Sequence, residues 1–211
     1  SIGKNEINNP ERLYQKSNTL FDKAINIIPL ASQTFSKSHQ QYAKGAAPLF
    51  VEKAEGAILT DIDNNEYIDY VSALLPIILG YCDPDIDSKI ISQLNKGITF
   101  SLASELEYLL ADKLVNLIPS AEMVRFGKNG SDATSAAIRI ARGYTGREMI
   151  AVAGYHGWHD WYIGSTTRDL GVPESVKNLT TKFSLDDLDK LKKQLKTNKY
   201  AAVIIEPYFD K

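Results

Sequence analysis

The sequence predicts an α/β fold in which a small antiparallel meander precedes the first part of a larger, mainly parallel sheet. Three short apolar segments between residues 48 and 71, separated by turn residues, predict the meander. After residue 122 the pattern changes to apolar strands that alternate with amphipathic helices, which is typical of a parallel sheet covered on both faces. We therefore expect an N-terminal segment over residues 1–82 and the beginning of a large α/β domain over residues 83–211.

Helix and turn signals mark the other elements before residue 122. In chain order, the predicted elements are a helix over 10–28, a polar loop over 32–39, a buried loop over the apolar residues 74–81, and helices over 84–96 and from 104 onwards. Pro29 ends the first helix, because proline cannot continue the backbone hydrogen bonds of a helix. Ser104 and Glu107 have the spacing of a capping box, so we expect the last of these helices to begin there.

The elements after residue 122 alternate between strand and helix. They are a strand over 123–126, a helix over 131–144, strands over 149–153 and 180–183, a helix over 185–196 and a strand over 201–205. Ser131 is expected to cap the helix that it begins. Apolar residues follow a 3–4 spacing in this helix, which predicts a buried face made of Ala133, Ala136, Ala137, Ile140 and Ala141.

The turn between strand 123–126 and the following helix has the character of an anion site. A strand that leads through a glycine-containing turn into a helix directs free backbone N–H groups toward one point, and that point favours a phosphate. Gly130 allows the backbone to approach a ligand closely, and the Ser131 hydroxyl can donate one more hydrogen bond. The same residues also suit an ordinary connection with a capped helix, so they leave both interpretations open.

An aromatic segment, residues 154–162, follows a predicted strand and lies at its carboxyl end, where open α/β sheets bind ligands. Tyr155 or His156 can stack on a flat ring there. Two alternatives compete with this interpretation. His156, His159 and Asp160 can ligate a metal, although no further cluster of strong ligands occurs in the sequence. The aromatic residues can also simply pack a loop. A serine nucleophile is disfavoured, because no G-x-S-x-G sequence occurs.

Glu206 ends the last predicted strand, at the same carboxyl edge of the sheet. A carboxylate in this position can face a ligand cation or orient a neighbouring group, although an acidic residue before a proline at a strand end is often plain surface. The sequence contains neither a P-loop nor a complete G-x-G-x-x-G, so ATP and dinucleotides are disfavoured as ligands.

Composition and charge exclude several classes of protein. The 211 residues carry a formal net charge of −2, which gives no electrostatic reason to expect nucleic acid or an anionic membrane as a partner. Cys82 is the only cysteine, so no intramolecular disulfide can form, and this fits a reducing, cytoplasmic location. The first ten residues have no apolar core of a secretory signal, and no apolar run approaches the length of a membrane span. We expect no bound metal.

Taken jointly, several segments resemble the class III aminotransferases, enzymes of fold type I that use pyridoxal 5′-phosphate (PLP) and that include glutamate-1-semialdehyde aminomutase. These segments are residues 48–56, 61–70, 79–80, 129–133, 137–147, 155–157 and 204–207. They occur in order over nearly the whole chain, and their spacing is specific. The resemblance implies PLP as cofactor, a homodimer with active sites at the subunit interface, and a small-molecule amino donor and carbonyl acceptor as substrates.

The resemblance also implies roles for individual residues. Gly130 and Ser131 would bind the cofactor phosphate, Tyr155 would stack on the pyridine ring with His156 beside it, and Glu206 would support the active site near the ring as a catalytic residue. The family's cofactor-binding lysine, and the aspartate that pairs with the pyridine nitrogen, lie beyond the glutamate–proline pair. We therefore interpret the chain as the N-terminal half of a longer enzyme.

Two differences from the aminomutase bear on the substrate. Lys37 stands where the aminomutase has an arginine that grips the substrate carboxylate, and lysine cannot form the bidentate pair. Residues 73–76, Ala-Leu-Leu-Pro, stand where the aminomutase has a Ser-Trp pair before a Gly-Pro. Both differences disfavour glutamate semialdehyde. The sequence thus predicts a PLP-dependent transaminase, with Lys37 at the substrate. The alternatives are the aminomutase and a non-catalytic truncated module that binds a ligand or a partner.

Overall fold

A computed structural model describes residues 13–207. The chain forms two compact units that divide between Leu102 and Ala103. The predicted helix that begins at residue 84 therefore belongs to the first unit. The domain boundary expected between residues 82 and 83 stays a prediction. None of the helices formed by residues 13–207 is long and apolar enough to cross a membrane.

The first unit contains the predicted antiparallel meander. Its strands are β1 (Val51–Glu55), β2 (Ile58–Asp61) and β3 (Glu66–Ile68), and they pair in the order β1-β2-β3. The β2–β3 turn contains Asn64 with a φ of 66°, a left-handed conformation that asparagine tolerates. The Asp61 carboxylate is fully buried behind this turn and accepts hydrogen bonds from Asn65 and the Tyr67 hydroxyl. The meander is confirmed.

Helix α1 (Gln15–Ala24) is capped by a residue that lies far away in the sequence. No side chain at its own N-cap position accepts a hydrogen bond from the first turn. Instead, the Asp63 carboxylate accepts the backbone N–H of Lys16 at 2.7 Å and that of Ser17 at 2.9 Å. A carboxylate also suits the positive end of the helix. The β2–β3 turn therefore stabilises α1.

Replacing Asp63 with asparagine is expected to lower the free energy of unfolding by about 1 kcal/mol at neutral pH, the usual cost of a weakened N-cap. Burial opposes ionisation of Asp63, but the hydrogen bonds from Ser17 and Lys16 outweigh it and hold its pKa below the ordinary value. The stabilisation is therefore present above the ordinary aspartate pKa of about 4 and is lost as the pH falls through the lowered pKa. Urea unfolding of wild type and variant should converge in acid; a constant difference would contradict this cap.

The apolar segment 74–81 was predicted to be a buried loop, and this is wrong for its apolar side chains. Leu75 is 76% exposed and Ile78 is 82% exposed, because no described residue covers them. Four successive left-handed residues, Ser72–Leu75, lead into the segment, with φ between 49° and 81°. The Asp69 carboxylate holds the start of this turn by accepting the N–H groups of Val71 and Ser72.

Helices α2 and α3 confirm the predicted helix starts. Helix α2 spans Pro84–Leu94, and the Asp83 side chain caps it. Helix α3 spans Glu105–Leu117, and Ser104 forms the predicted capping box with Glu107. Both helices leave most of their leucine and isoleucine side chains about half exposed in the part of the chain that the structure describes.

The second unit is built on a parallel sheet of β4 (Met149–Ala153), β5 (Thr180–Lys182) and β6 (Tyr200–Ile205), in the order β5-β4-β6. Its central strand, β4, forms the core, since Ile150, Ala151 and Val152 have no solvent exposure. The connecting helices are α4 (Gly130–Thr145), α5 (Asp160–Ile163), α6 (Glu174–Lys177) and α7 (Leu188–Leu195). The last helix begins later than predicted, because the Asp187 side chain caps it. The parallel arrangement is confirmed.

Two predictions for the segment before β4 are wrong. Residues 123–126 form no strand, because no other described strand pairs with them. The predicted buried face of α4 is largely exposed, and Ile140 is 71% exposed. The helix instead buries Ser131 and Ile138. The packed face thus carries hydroxyl groups as well as Ile138, which the apolar spacing alone does not reveal.

Candidate functional site

The N-terminus of α4 presents unused hydrogen-bond donors. Asn129, rather than Ser131 as predicted, is the N-cap, and its side-chain oxygen accepts the N–H of Asp132 at 3.0 Å. Within residues 13–207, the backbone N–H groups of Gly130 and Ser131 have no acceptor. A Cβ added to Gly130 would meet no atom within 4 Å, so the side of this residue where a Cβ would stand is open.

The Ser131 side chain lies where α4 meets the aromatic loop, residues 154–159. Its Oγ accepts the backbone N–H of Trp158 at 3.3 Å. This bond uses an oxygen lone pair and leaves the hydroxyl proton available for an acceptor in front of the helix. Gly157, with a φ of 107°, allows this close approach, because a Cβ there would overlap the Ser131 Oγ.

Tyr155 lies two residues after the end of β4 and is 64% exposed, so its ring face can be reached by a ligand. Its backbone N–H donates to Glu206 Oε2 at 2.9 Å, and the Glu206 N–H donates to the Ala153 carbonyl at 2.9 Å. Gly154 permits this contact, since a Cβ there would overlap the Glu206 Cβ. The structure therefore brings Tyr155 and Glu206 together at the carboxyl edge of the sheet.

His156 lies beneath the loop rather than on its surface. Its side chain is buried, and Nε2 donates to the Ala153 carbonyl at 2.8 Å, which requires a proton on that nitrogen. The ring packs edge-on against Tyr162. Burial raises the pKa of Tyr162, and the nearby Tyr155 and Glu206 raise it further. In this position His156 supports the loop and offers little surface to a ligand.

The remaining site predictions concern Lys37 and metal ligands. Lys37 lies in the first unit, where it ends a short 3₁₀ turn over Phe35–Lys37 and is exposed. Its role at a substrate stays a prediction. The portion of the chain from 13 to 207 contains no group of three or more His, Cys, Asp or Glu side chains that could hold a metal ion.

Sequence reasoning missed the hydrogen bonds that join α4 to the aromatic loop. Thr134 Oγ1 donates to the His156 carbonyl at 2.9 Å, and Ser135 Oγ lies 2.7 Å from His159 Nδ1. Ser131, Thr134 and Ser135 have the i, i+3, i+4 spacing of one helix face. This spacing of hydroxyl-bearing residues was the feature of the sequence that could have predicted a polar contact between the helix and the loop.

The arrangement suits a ligand that has both an anionic group and a flat ring. The two free N–H groups of Gly130 and Ser131, at the positive end of the 16-residue helix α4, can bind a phosphate. The exposed ring of Tyr155, on the loop that Ser131 contacts, offers an apolar face to an aromatic system. A phosphorylated aromatic cofactor such as PLP fits this set of groups.

Sequence comparison identifies the family. Residues 40–209 match the sequence profile of the family described as Aminotransferase class-III. This match covers most of the chain, which therefore belongs to the class III aminotransferase family. Its fold is that of the fold type I PLP-dependent transferases, of which the chain contains a part.

The relatives include both aminotransferases and aminomutases. The chain is 42% identical over 195 residues to the 3-aminobutyryl-CoA aminotransferase of Cloacimonas acidaminovorans, covering 91% of this chain and 46% of that protein. It is 39% identical over 208 residues to the glutamate-1-semialdehyde 2,1-aminomutase of Sulfurisphaera tokodaii, covering 93% of this chain and 47% of that protein. The chain thus spans about half the length of these relatives.

Solved structures show the same fold. An omega-transaminase from Sphaerobacter thermophilus superposes with a TM-score of 0.81 at 28% identity, covering 93% of this chain and 49% of the transaminase. The FumI protein of Sphingopyxis sp. MTA144, solved in its PLP internal aldimine form, gives a TM-score of 0.82 at 31% identity, covering 90% of this chain and 45% of FumI.

Proposed function

We propose that the protein is a PLP-dependent transaminase that moves an amino group from a donor amine to a carbonyl acceptor, and that this chain supplies its phosphate and ring contacts. The observation that carries the proposal is the juxtaposition of two free N–H groups, at Gly130 and Ser131, with the loop that presents Tyr155. The family membership of the chain supports the same conclusion.

Each site residue has a distinct task in this proposal. Gly130 and Ser131 bind the cofactor phosphate through backbone N–H groups and the Ser131 hydroxyl. Tyr155 stacks on the pyridine ring, and Glu206 fixes the Tyr155 backbone beneath it through Oε2. His156 supports the loop from below. When bound, PLP supplies an electron sink that stabilises negative charge at the substrate carbon.

The substrate is an amine of small size, and two reaction types are open to it. The relative from Cloacimonas acidaminovorans favours transamination between two substrates. The relative from Sulfurisphaera tokodaii favours an aminomutase, in which one molecule is both donor and acceptor. Lys37 offers a single positive charge for a substrate carboxylate, which is a weaker grip than the bidentate pair of an arginine. We favour transamination for this reason.

We also propose that the active protein is a cytoplasmic homodimer. Support comes from α3, where Leu106, Leu109 and Leu110 are each 50–52% exposed in the described part of the chain. Contiguous apolar surface of this kind is typical of a face covered by further protein. Sedimentation equilibrium of the full-length protein at micromolar concentration measures the oligomeric state directly.

The experiment that tests the proposed function uses the full-length protein purified with PLP. Bound PLP that absorbs in the visible region, and that borohydride fixes covalently to the chain, would support the proposal. Mixing with single amines should then convert the visible band to that of pyridoxamine phosphate for a transaminase donor. A protein that does not bind PLP would overturn the proposal and favour a non-catalytic module.

Replacing Tyr155 with alanine should weaken PLP binding by about 1–2 kcal/mol, or about tenfold, because the stacked aromatic face is lost. Trp158 provides a matched control, since it lies on the same loop and is 69% exposed, compared with 64% for Tyr155. Trp158→Ala should leave the PLP dissociation constant within about twofold of wild type. Equal losses in the two variants would show that the ring contact has been assigned to the wrong residue.

A further inference from the structure

Three hydroxyl groups on one face of α4 bind the aromatic loop at three successive places. Ser131 accepts the N–H of Trp158, Thr134 donates to the His156 carbonyl, and Ser135 contacts the His159 ring. The Thr134 hydroxyl also lies 3.2 Å from the Ser131 carbonyl, but its contact with His156 is shorter at 2.9 Å. Only Ser131 lies in the first turn of α4, beside the candidate phosphate site, and Thr134 and Ser135 lie one turn further along the helix.

Ser135 joins two aromatic residues to α4, Trp161 as well as His159. The Trp161 indole N–H, which can only donate, lies 3.0 Å from Ser135 Oγ. Ser135 Oγ therefore accepts from Trp161, and it lies 2.7 Å from His159 Nδ1. His159 Nε2 lies 4.0 Å from Asp132 Oδ1. His159 is thus held on both sides by residues of α4.

We propose that Thr134 and Ser135 are positioning residues for the cofactor. They fix the loop that carries Tyr155 against the helix whose N-terminus binds the phosphate. This inference rests on the proposed function and deepens it. Neither residue contacts the cofactor itself; each acts through the loop, Thr134 through the His156 carbonyl and Ser135 through the His159 ring.

The physical reason is that phosphate and ring contacts lie on separate elements. A rigid ligand uses both contacts fully only if the distance between helix and loop is fixed in advance. The Tyr155 ring is 64% exposed and packs edge-on against Tyr162, so its position depends strongly on the backbone around it. Glu206 holds that backbone from the β6 side, and Thr134 and Ser135 hold it from the α4 side.

The test uses the full-length holoenzyme and two readouts. Ser135→Ala and Thr134→Val should each raise the PLP dissociation constant about five- to tenfold, the effect of losing one ordinary hydrogen bond. At saturating PLP, the visible circular dichroism of the bound cofactor should also change, because its ring orientation depends on the loop. Ser135→Thr keeps the hydroxyl and should restore both values.

Thr145→Val is the matched control, because the Thr145 hydroxyl donates to the Ala141 carbonyl within α4 and does not contact the loop. It should leave both cofactor readouts unchanged, whatever its effect on stability. If Thr134→Val and Ser135→Ala keep wild-type PLP affinity and dichroism, the inference is overturned and the proposed function still stands. The same holds if Thr145→Val changes both values as much as these two variants do. If Ser135→Ala does not fold, the two readouts of Thr134→Val test the inference by themselves. A wild-type protein that does not bind PLP would overturn the proposed function as well.

Discussion

Replacing Gly157 with alanine should weaken PLP binding at least about a hundredfold, or roughly 3 kcal/mol. Gly157 has a φ of 107°, which L side chains rarely adopt, and its added Cβ would overlap the Ser131 hydroxyl oxygen. The added Cβ would also lie 3.0 Å from the Ser131 Cβ and 3.1 Å from its Cα, so rotating the hydroxyl alone does not fully relieve the overlap, and the loop must move away from α4. That movement separates the two halves of the proposed cofactor site. Equilibrium titration of the apo-protein with PLP measures this loss.

Gly171 separates the effect of backbone strain from that of the overlap. It has a similar φ of 87°, but a Cβ added there would meet no atom within 4 Å. Gly171→Ala should therefore cost some stability, about 1 kcal/mol, and leave PLP affinity unchanged. If Gly157→Ala bound PLP as well as Gly171→Ala does, the close contact of loop and helix would not be needed for the cofactor.

Replacing Gly154 with alanine should lower the free energy of unfolding by about 2–5 kcal/mol, which combines backbone strain with overpacking. Gly154 has a φ of 88°, and an added Cβ would overlap the Glu206 Cβ and lie 2.7 Å from Glu206 Oε2. Because Glu206 continues β6, the overlap would push the ends of β4 and β6 apart in the core sheet. The urea midpoint of the full-length apo-protein reports the change.

Gly146 is the control for this second variant. It ends α4 with a φ of 66°, and a Cβ there would have no neighbour within 4 Å. Gly146→Ala should cost about 1 kcal/mol, from the left-handed conformation alone. If the contact with Glu206 matters, Gly154→Ala lowers the urea midpoint clearly more than Gly146→Ala does. Equal midpoints in the two variants would contradict this prediction.

The parallel sheet could be predicted from the sequence because β4 and β6 are short apolar runs that carry their own signal. The hairpin turn at Asn64 could be predicted for a similar reason, since the residues that favour the turn are neighbours in sequence. Gly130, Ser131, Tyr155 and Glu206 lie at or next to the ends of such elements, and their roles stay predictions. The strands and the hairpin turn depend on residues that are neighbours in sequence, so local sequence patterns were enough to predict them.

The packed face of α4 could not be predicted, because alanine carries a weak hydrophobic signal. The alanine stripe and the face with Ile138 have similar spacing, and hydrogen bonds to a loop 22–27 residues away decide between them. Residues 123–126 are apolar except for Arg125, but a strand forms only where another strand pairs with it. The inward position of His156 likewise depends on Tyr162 and the Ala153 carbonyl, which no spacing rule connects to it.

The distant cap of α1 has a consequence for synthesis on the ribosome. A ten-residue helix is marginal in isolation, so α1 gains little order when it first leaves the exit tunnel. Its capping carboxylate, Asp63, is translated 46 residues after Ser17, which corresponds to about two to nine seconds at ordinary rates of elongation. During that interval the segment that becomes α1 is available to chaperones. The helix becomes stable only when the β2–β3 turn emerges.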